Sequence, residues 1–408
     1  MCAVLENRDS GNRHLTEGLV ESEHPVSDSA HTDSTRGEAD GQRQCLPTVV
    51  VTGAAGFIGF HVAKRLLIEG HHVLGVDCFT PYYDVALKRA RFAQLVQYSN
   101  FQPAQIDLSD AATTAALFAD FAPGYVIHLA AQPGVRQALT NPHPYLWSNI
   151  VAFLNVLEGC RHAGVKHLIY ASSSSVYGAN RAIPFSERQA VDHPLSLYAA
   201  TKKSNELMAH AYSHLFRLPA TGLRFFTVYG PWGRPDMAVY TFVHAIAEGR
   251  PIQLANSGKV RRDFTYIDDV VEGILRVARR PATRDAAWDP AHPDPATSDA
   301  PHRVYNIGNG RPEELNRLVA LIEATLGRKA NPIDCPLPPG DVLETEADVS
   351  DLRAEFGFAP MISLEEGVGR FIAWYRQYHS LYPADAAHVA IGRGDAPLSA
   401  IATAFASA

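Results

Sequence analysis

The chain has 408 residues and a formal net charge of −7, longer than one typical domain yet within reach of a single enlarged α/β unit. That balance leaves no basic footprint for nucleic acid, no apolar run approaches the ~18 residues that a membrane span needs, and the polar N-terminus lacks the apolar core of a secretion signal, so a cytoplasmic protein is expected. Five cysteines (Cys2, Cys45, Cys78, Cys160, Cys335) show no CxxC pair or His-rich spacing, which indicates neither a disulfide framework nor a metal site.

Residues 1–46 are rich in Ser, Asp, Glu, Gly, His and Arg without apolar periodicity, a composition that cannot offset the entropy of ordering, and are expected to be a disordered tail. Short β-branched runs then alternate with amphipathic stretches. Residues 48–52, 72–76, 125–129, 167–170 and 221–225 read as buried parallel strands, and the segments between them are long enough for crossover helices. The expected fold class is therefore α/β, a doubly wound parallel sheet with a smaller C-terminal lobe. The sheet domain is expected over 47–226 with 263–308 returning to it, and the lobe over 227–262 and 309–380. Residues 281–302, with several Pro, Asp and Ala, read as an exposed insertion loop, and 381–408 as a C-terminal tail.

The first strand runs into Gly53-Ala54-Ala55-Gly56-Phe57-Ile58-Gly59. There Gly53 permits a tight turn, Gly56 lets backbone approach a pyrophosphate, and Gly59 lets the following helix pack closely on the sheet. The next strand ends in Asp77, whose carboxylate is placed to accept hydrogen bonds from ribose hydroxyls and would repel a ribose phosphate. With no Arg directly after it, NAD is favoured over NADP. Asp107 reads equally as an adenine contact or as a turn residue. Tyr198 and Lys202 are four apart on one helix face, where an ammonium can lower the pKa of a phenol and make it a proton acceptor near neutral pH. The serine run 172–175 lies at the carboxyl end of a strand, the edge at which open α/β sheets bind ligands.

These segments, with 223–237 (LRFFTVYGPWGRPDM), 261–269 and 339–342, resemble the extended short-chain dehydrogenase/reductase superfamily over about residues 47–380, and within it the UDP-glucuronate 4-epimerases. The resemblance implies a Rossmann-type fold and a tightly held NAD. Tyr198 would take the proton of the sugar 4-hydroxyl, Lys202 would hold the nicotinamide ribose, and Ser173 would bond the same hydroxyl. It further implies cofactor contacts from Gly53, Gly56, Phe57, Ile58, Gly59, Asp77, Asp107, Leu129, Ala130, Ala131, Asn149 and Phe225, and a UDP-sugar partner.

The sugar carboxylate would be met by Ser174, Ser175, Thr227 and Arg234, since a planar guanidinium suits a carboxylate bidentately. Arg136 is a second candidate for that role, and Arg262 and Asp341 belong to the diphosphate side. UDP-glucuronate decarboxylases carry a Glu where this chain has Ser175, and UDP-glucose 4-epimerases usually have Asn at Thr227, so both are alternatives of lower standing. A catalytically idle NAD-binding module is disfavoured by intact Tyr198, Lys202 and Ser173. Cys78 departs from the Asn common in relatives and removes an adenosine contact. A homodimer joined through the helices carrying Tyr198 and Asn149 is also implied.

Overall fold

The computed structural model describes residues 46–338 and 340–381, so the expectations for the two tails fall outside the described residues except at Leu46 and Leu381. In chain order the elements are β1 (Val49–Thr52), α1 (Phe57–Ile68), β2 (Val73–Asp77), α2 (Val85–Leu95), β3 (Phe101–Gln105), α3 (Ala111–Phe121), β4 (Tyr125–His128), α4 (His143–Tyr145), α5 (Ala152–His162), β5 (His167–Ser173) and α6 (Leu197–Phe216). They continue through β6 (Ala220–Phe225), β7 (Thr227–Tyr229), α7 (Ala238–Glu248), β8 (Ile252–Ala255), β9 (Arg261–Tyr266), α8 (Ile267–Ala278), β10 (His302–Ile307), β11 (Pro312–Glu314), α9 (Leu315–Leu326), β12 (Pro332–Cys335), α10 (Ser350–Phe356) and α11 (Leu364–Leu381).

The β-branched runs do what their composition dictates. β1 and β2 are buried at every position, as strands covered on both faces must be. Val49 and Val51 enter one apolar cluster and Val50 the other, so the pleat feeds a core on each side of the sheet. Seven parallel strands pair in the order β10-β6-β5-β4-β1-β2-β3. The order reverses between β1 and β4, the switch point outside which a crevice opens at the carboxyl ends. Two small sheets, β11-β9-β7 and β12-β8, stand beyond those ends. No described helix is long and apolar enough to cross a membrane.

Two expectations need revision. β3 escapes the periodicity reading because Pro103 interrupts it and its side chains are only partly buried; it is tolerated because β3 is the edge strand, where a missing N–H costs no ladder bond. The segment 281–301 holds no regular element, yet it is not wholly exposed: Ala296, Ser298 and Ala300 are buried beside the start of β10.

Candidate active site

A cavity of about 1070 Å³ opens outside the carboxyl ends of the sheet, at the upper end of the range for ligand pockets. On one side it is walled by the glycine turn. Gly53 has φ +70°, and a Cβ built there would lie 2.8 Å from the Ala130 amide nitrogen. A Cβ on Gly59 would lie 2.1 Å from the Gly53 carbonyl oxygen, so α1 starts in direct backbone contact with the turn. Asp77, only 8 % exposed, accepts from Ala55 N at 3.1 Å and from Phe79 N at 2.8 Å, which fixes its carboxylate at the rim. Thr52 Oγ1 accepts the amides of Leu129 and Ala130, both at 3.1 Å, and so sets the backbone of 129–131 against the turn. Phe57, Ile58, Asp107, Ala131 and Phe225 complete this wall. A backbone cradle that excludes Cβ atoms beside a fixed rim carboxylate fits a dinucleotide.

The same cavity carries the reactive groups. β5 ends in Ser172 and Ser173, and the Ser173 hydroxyl caps the turn at Ser174–Tyr177, accepting from Ser175 N and donating to Ser175 Oγ, each at 3.2 Å. Helix α6 starts at Tyr198's neighbour Leu197 because Ser196 caps it, accepting from Ala199 N at 3.1 Å. One turn on, Lys202 is buried and donates through Nζ to the Ala171 carbonyl at 2.8 Å. Burial pushes its ammonium down to about 8. The Tyr198 phenol is pushed above its ordinary value by burial, with the Arg234 cation and the Ser173 hydroxyl acting in the opposite sense. The four-residue spacing thus sets both side chains on the one cavity, with the phenol raised by burial against the opposing pull of Arg234 and Ser173.

Arg234 lines the same cavity with its side chain 22 % exposed, and donates through Nε (3.0 Å) and Nη2 (2.5 Å) to the two carboxylate oxygens of Asp236. Thr227, Ser174 and Ser175 face the same cavity. Further along, Arg262 donates to Asp341 at 2.5 Å and to the carbonyls of Arg261 and Leu343. Burial lowers the Arg262 guanidinium, and Arg136, which lines the same cavity, acts in the same sense by like charge. The neighbour Asp263 is not its partner: it is fully buried and accepts from the amides of Asn309, Gly310 and Ala347.

Asn149 is the one expected contact that the fold turns away. It is 1 % exposed and stands behind the cavity wall in a π-helical turn, Leu146–Val151. There it accepts from Gln132 N at 2.8 Å and donates to Gln132 O and Thr201 Oγ1. Its amide braces the loop after β4 against α6.

The model of the NAD dependent epimerase/dehydratase family matches residues 49–308. The chain belongs to that family. It is similar to the protein CapI of Staphylococcus aureus, 51 % identical over 331 residues that span 81 % of this chain and 99 % of the relative. It is likewise similar to a probable UDP-glucuronate 4-epimerase of Rhizobium meliloti, 50 % identical over 331 residues, 80 % and 96 % of the two chains. Among solved structures, the UDP-glucuronic acid 4-epimerase of Bacillus cereus in complex with UDP-glucuronic acid and NAD superposes with a TM-score of 0.73 at 32 % identity, over 81 % of this chain and 99 % of the other.

Three residues of this epimerase-family site escape sequence reasoning. Asp236 and Tyr82 hold Arg234, and Arg91 is fully buried beneath it, donating to the carbonyls of Trp232, Gly233 and Ala55. Arg91 thereby ties the 230–234 loop to the glycine turn. Nothing local marks it: an arginine on the amphipathic α2 reads as solvated, and its three carbonyl acceptors become neighbours only on folding.

Proposed function

We propose that the protein interconverts UDP-glucuronate and UDP-galacturonate as an NAD-dependent 4-epimerase. The observation that carries this reading is the juxtaposition, on one cavity, of Tyr198, Lys202 and Ser173 with a dinucleotide cradle on one side and the Arg234 guanidinium on the other. The CapI and Rhizobium relatives share half their residues with the chain, which supports a common reaction. NAD, when bound, supplies a reversible hydride acceptor at the sugar C4.

The chain's own part is proton transfer and positioning. Tyr198 Oη accepts the proton of the 4-hydroxyl as the C4 hydride departs, and returns it once the 4-keto sugar has turned its other face to the cofactor. Lys202, anchored to Ala171, would hold the nicotinamide ribose through its ammonium, and Ser173 would orient the 4-hydroxyl. Arg234, Thr227 and the hydroxyls of Ser174 and Ser175 take the sugar carboxylate, with Arg136 the second candidate for it, whereas Arg262, held by Asp341, serves the diphosphate. Residues 227–262 and 309–380 would form the lobe that closes on the UDP-sugar. Ser175, where decarboxylases place an acid, keeps the β-keto acid from a group that would assist loss of carbon dioxide.

The protein would act in the cytoplasm as a homodimer. Leu146, Trp147 and Leu154 beside Asn149, and Leu207 and Leu215 on α6, are exposed apolar side chains on the two helices expected to meet the partner. Light scattering that gives a monomer mass overturns that part alone. For the reaction, purified protein incubated with UDP-glucuronate and no added reductant should form UDP-galacturonate. UDP-xylose as the main product, or turnover of UDP-glucose in preference to the acid, would overturn the reading.

A further inference from the structure

Arg234, the residue to which the sugar carboxylate is assigned, is held by two side chains that lie 154 positions apart in the sequence. Asp236 engages its Nε and Nη2 in a bidentate pair. Tyr82, in the loop between β2 and α2, donates its hydroxyl to Asp236 Oδ2 at 3.0 Å, and its ring lies 5.9 Å from the centre of the guanidinium. The Asp236 carboxylate is used on the side-on edge of the guanidinium. A guanidinium has a second, end-on edge formed by Nη1 and Nη2, able to take another carboxylate bidentately.

The backbone beneath is fixed as well. Trp232 sits at φ +62°, a left-handed conformation unfavourable for a bulky residue, and the buried Arg91 binds its carbonyl through Nε and Nη2 at 3.1 and 2.6 Å. Strain of this kind persists only where the surroundings over-determine it, so the 230–236 loop is built to hold one geometry.

We propose that Asp236 and Tyr82 are positioning residues for substrate specificity: they clamp the side-on edge of Arg234 so that its end-on edge is presented, already oriented, to the carboxylate of a uronic acid sugar. The inference rests on the assignment of Arg234 to that carboxylate. The alternative use of the same contacts is competition, in which Asp236 occupies Arg234 until the substrate acid displaces it. The geometry favours presentation, because the pair consumes one edge and leaves the other, and because Tyr82 satisfies Asp236 from behind instead of leaving it free to follow the guanidinium.

The test uses NAD-loaded protein carrying Tyr198→Phe, which slows turnover, and reads the binding of UDP-glucuronate and UDP-glucose by calorimetry. Freeing a long side chain from a charged bidentate pair should weaken UDP-glucuronate by about five- to thirtyfold in Asp236→Ala while UDP-glucose stays within about twofold. Tyr82→Phe, which keeps the ring but not the hydroxyl, should show a smaller loss of the same selectivity, about two- to fivefold. It serves the same purpose if Asp236→Ala does not fold. Adding Asp236→Ala to Arg234→Ala should bring no further selective loss.

Tighter UDP-glucuronate in Asp236→Ala would establish competition and overturn the proposal. Equal losses for both sugars would assign Asp236 to the fold and also overturn it. A selective loss in Arg234→Ala with none in Asp236→Ala or Tyr82→Phe would overturn the positioning role while the carboxylate assignment stands. No selective loss in Arg234→Ala itself would bring down both.

Discussion

The ammonium of Lys202 is bonded to the main-chain carbonyl of Ala171, at the end of β5, by a 2.8 Å contact that joins α6 to the strand from which Ser172 and Ser173 emerge. Together with the Ser172 hydroxyl, which donates to Glu206 of α6 at 2.7 Å, it ties helix to strand at the reaction centre. It keeps Tyr198, one turn earlier, level with Ser173.

If Tyr198 is the group that moves the proton, Tyr198→Phe should lower turnover of UDP-glucuronate by roughly 10²- to 10⁴-fold, the usual share of general acid–base catalysis. The ring remains, so its edge contact with Tyr145, 6.3 Å between centroids, should survive, and bound NAD per protomer should match the parent protein. Turnover within about tenfold of the parent would remove Tyr198 from proton transfer.

Gly59→Ala tests the cradle. Its Cβ would meet the Gly53 carbonyl oxygen at 2.1 Å, and a backbone atom at the turn cannot swing aside as a side chain can. Overpacking of this kind typically costs about 1–3 kcal/mol, and the displaced turn should release NAD during gel filtration. Unchanged stability with full NAD occupancy would show that α1 can shift to admit the methyl group.

Asn149→Ala separates a brace from a cofactor contact. The substitution strips partners from the buried amide and carbonyl of Gln132, which should cost about 2–4 kcal/mol in urea unfolding, because each unsatisfied buried backbone group costs roughly 1–3 kcal/mol. A loss of NAD affinity with unchanged unfolding would restore Asn149 to the cofactor site.

A pH dependence follows from Glu187, 1 % exposed and accepting from Asn306 N at 2.6 Å. Burial raises its carboxyl to about 7 from an ordinary 4.5. The folded state therefore binds this proton more tightly than the unfolded chain between about pH 4.5 and 7, so its contribution to stability is present below that window and lost as pH rises through it. Glu187→Gln cannot ionise, so its stability relative to the parent should improve across the window by on the order of 3 kcal/mol. A difference that is the same at pH 4.5 and pH 8 would show that the carboxyl is not perturbed.

What was legible in the chain was legible for short-range reasons. The buried runs at β1 and β2, the glycine turn, Asp77 at a strand end and the Tyr198 to Lys202 spacing are all patterns within a few residues, and helix and strand periods convert such patterns directly into faces and edges. Ser196 caps α6 by a contact spanning three positions. Those signals suffice to place a phenol, an ammonium and a row of hydroxyls at the ligand edge of a parallel sheet.

Tertiary structure decided which neighbours those groups have. Tyr82 and Asp236 are 154 positions apart and meet through one hydroxyl; Arg91 finds the carbonyls of Trp232 and Gly233 141 and 142 positions away. Glu206 is fully enclosed, and burial alone would raise its carboxyl, yet the buried Arg224 guanidinium and Ser172 bring it down to about 2. No local period encodes such pairs, because a charged side chain on an amphipathic helix reads as solvated until the element covering it is known. Asn149 and Tyr198 show the same division. The spacing put Tyr198 on a helix at the ligand edge of the sheet and the resemblance alone brought in Asn149, but the π-helical turn sends the Asn149 amide inward to Gln132, and burial raises the Tyr198 phenol against the pull of the Arg234 cation.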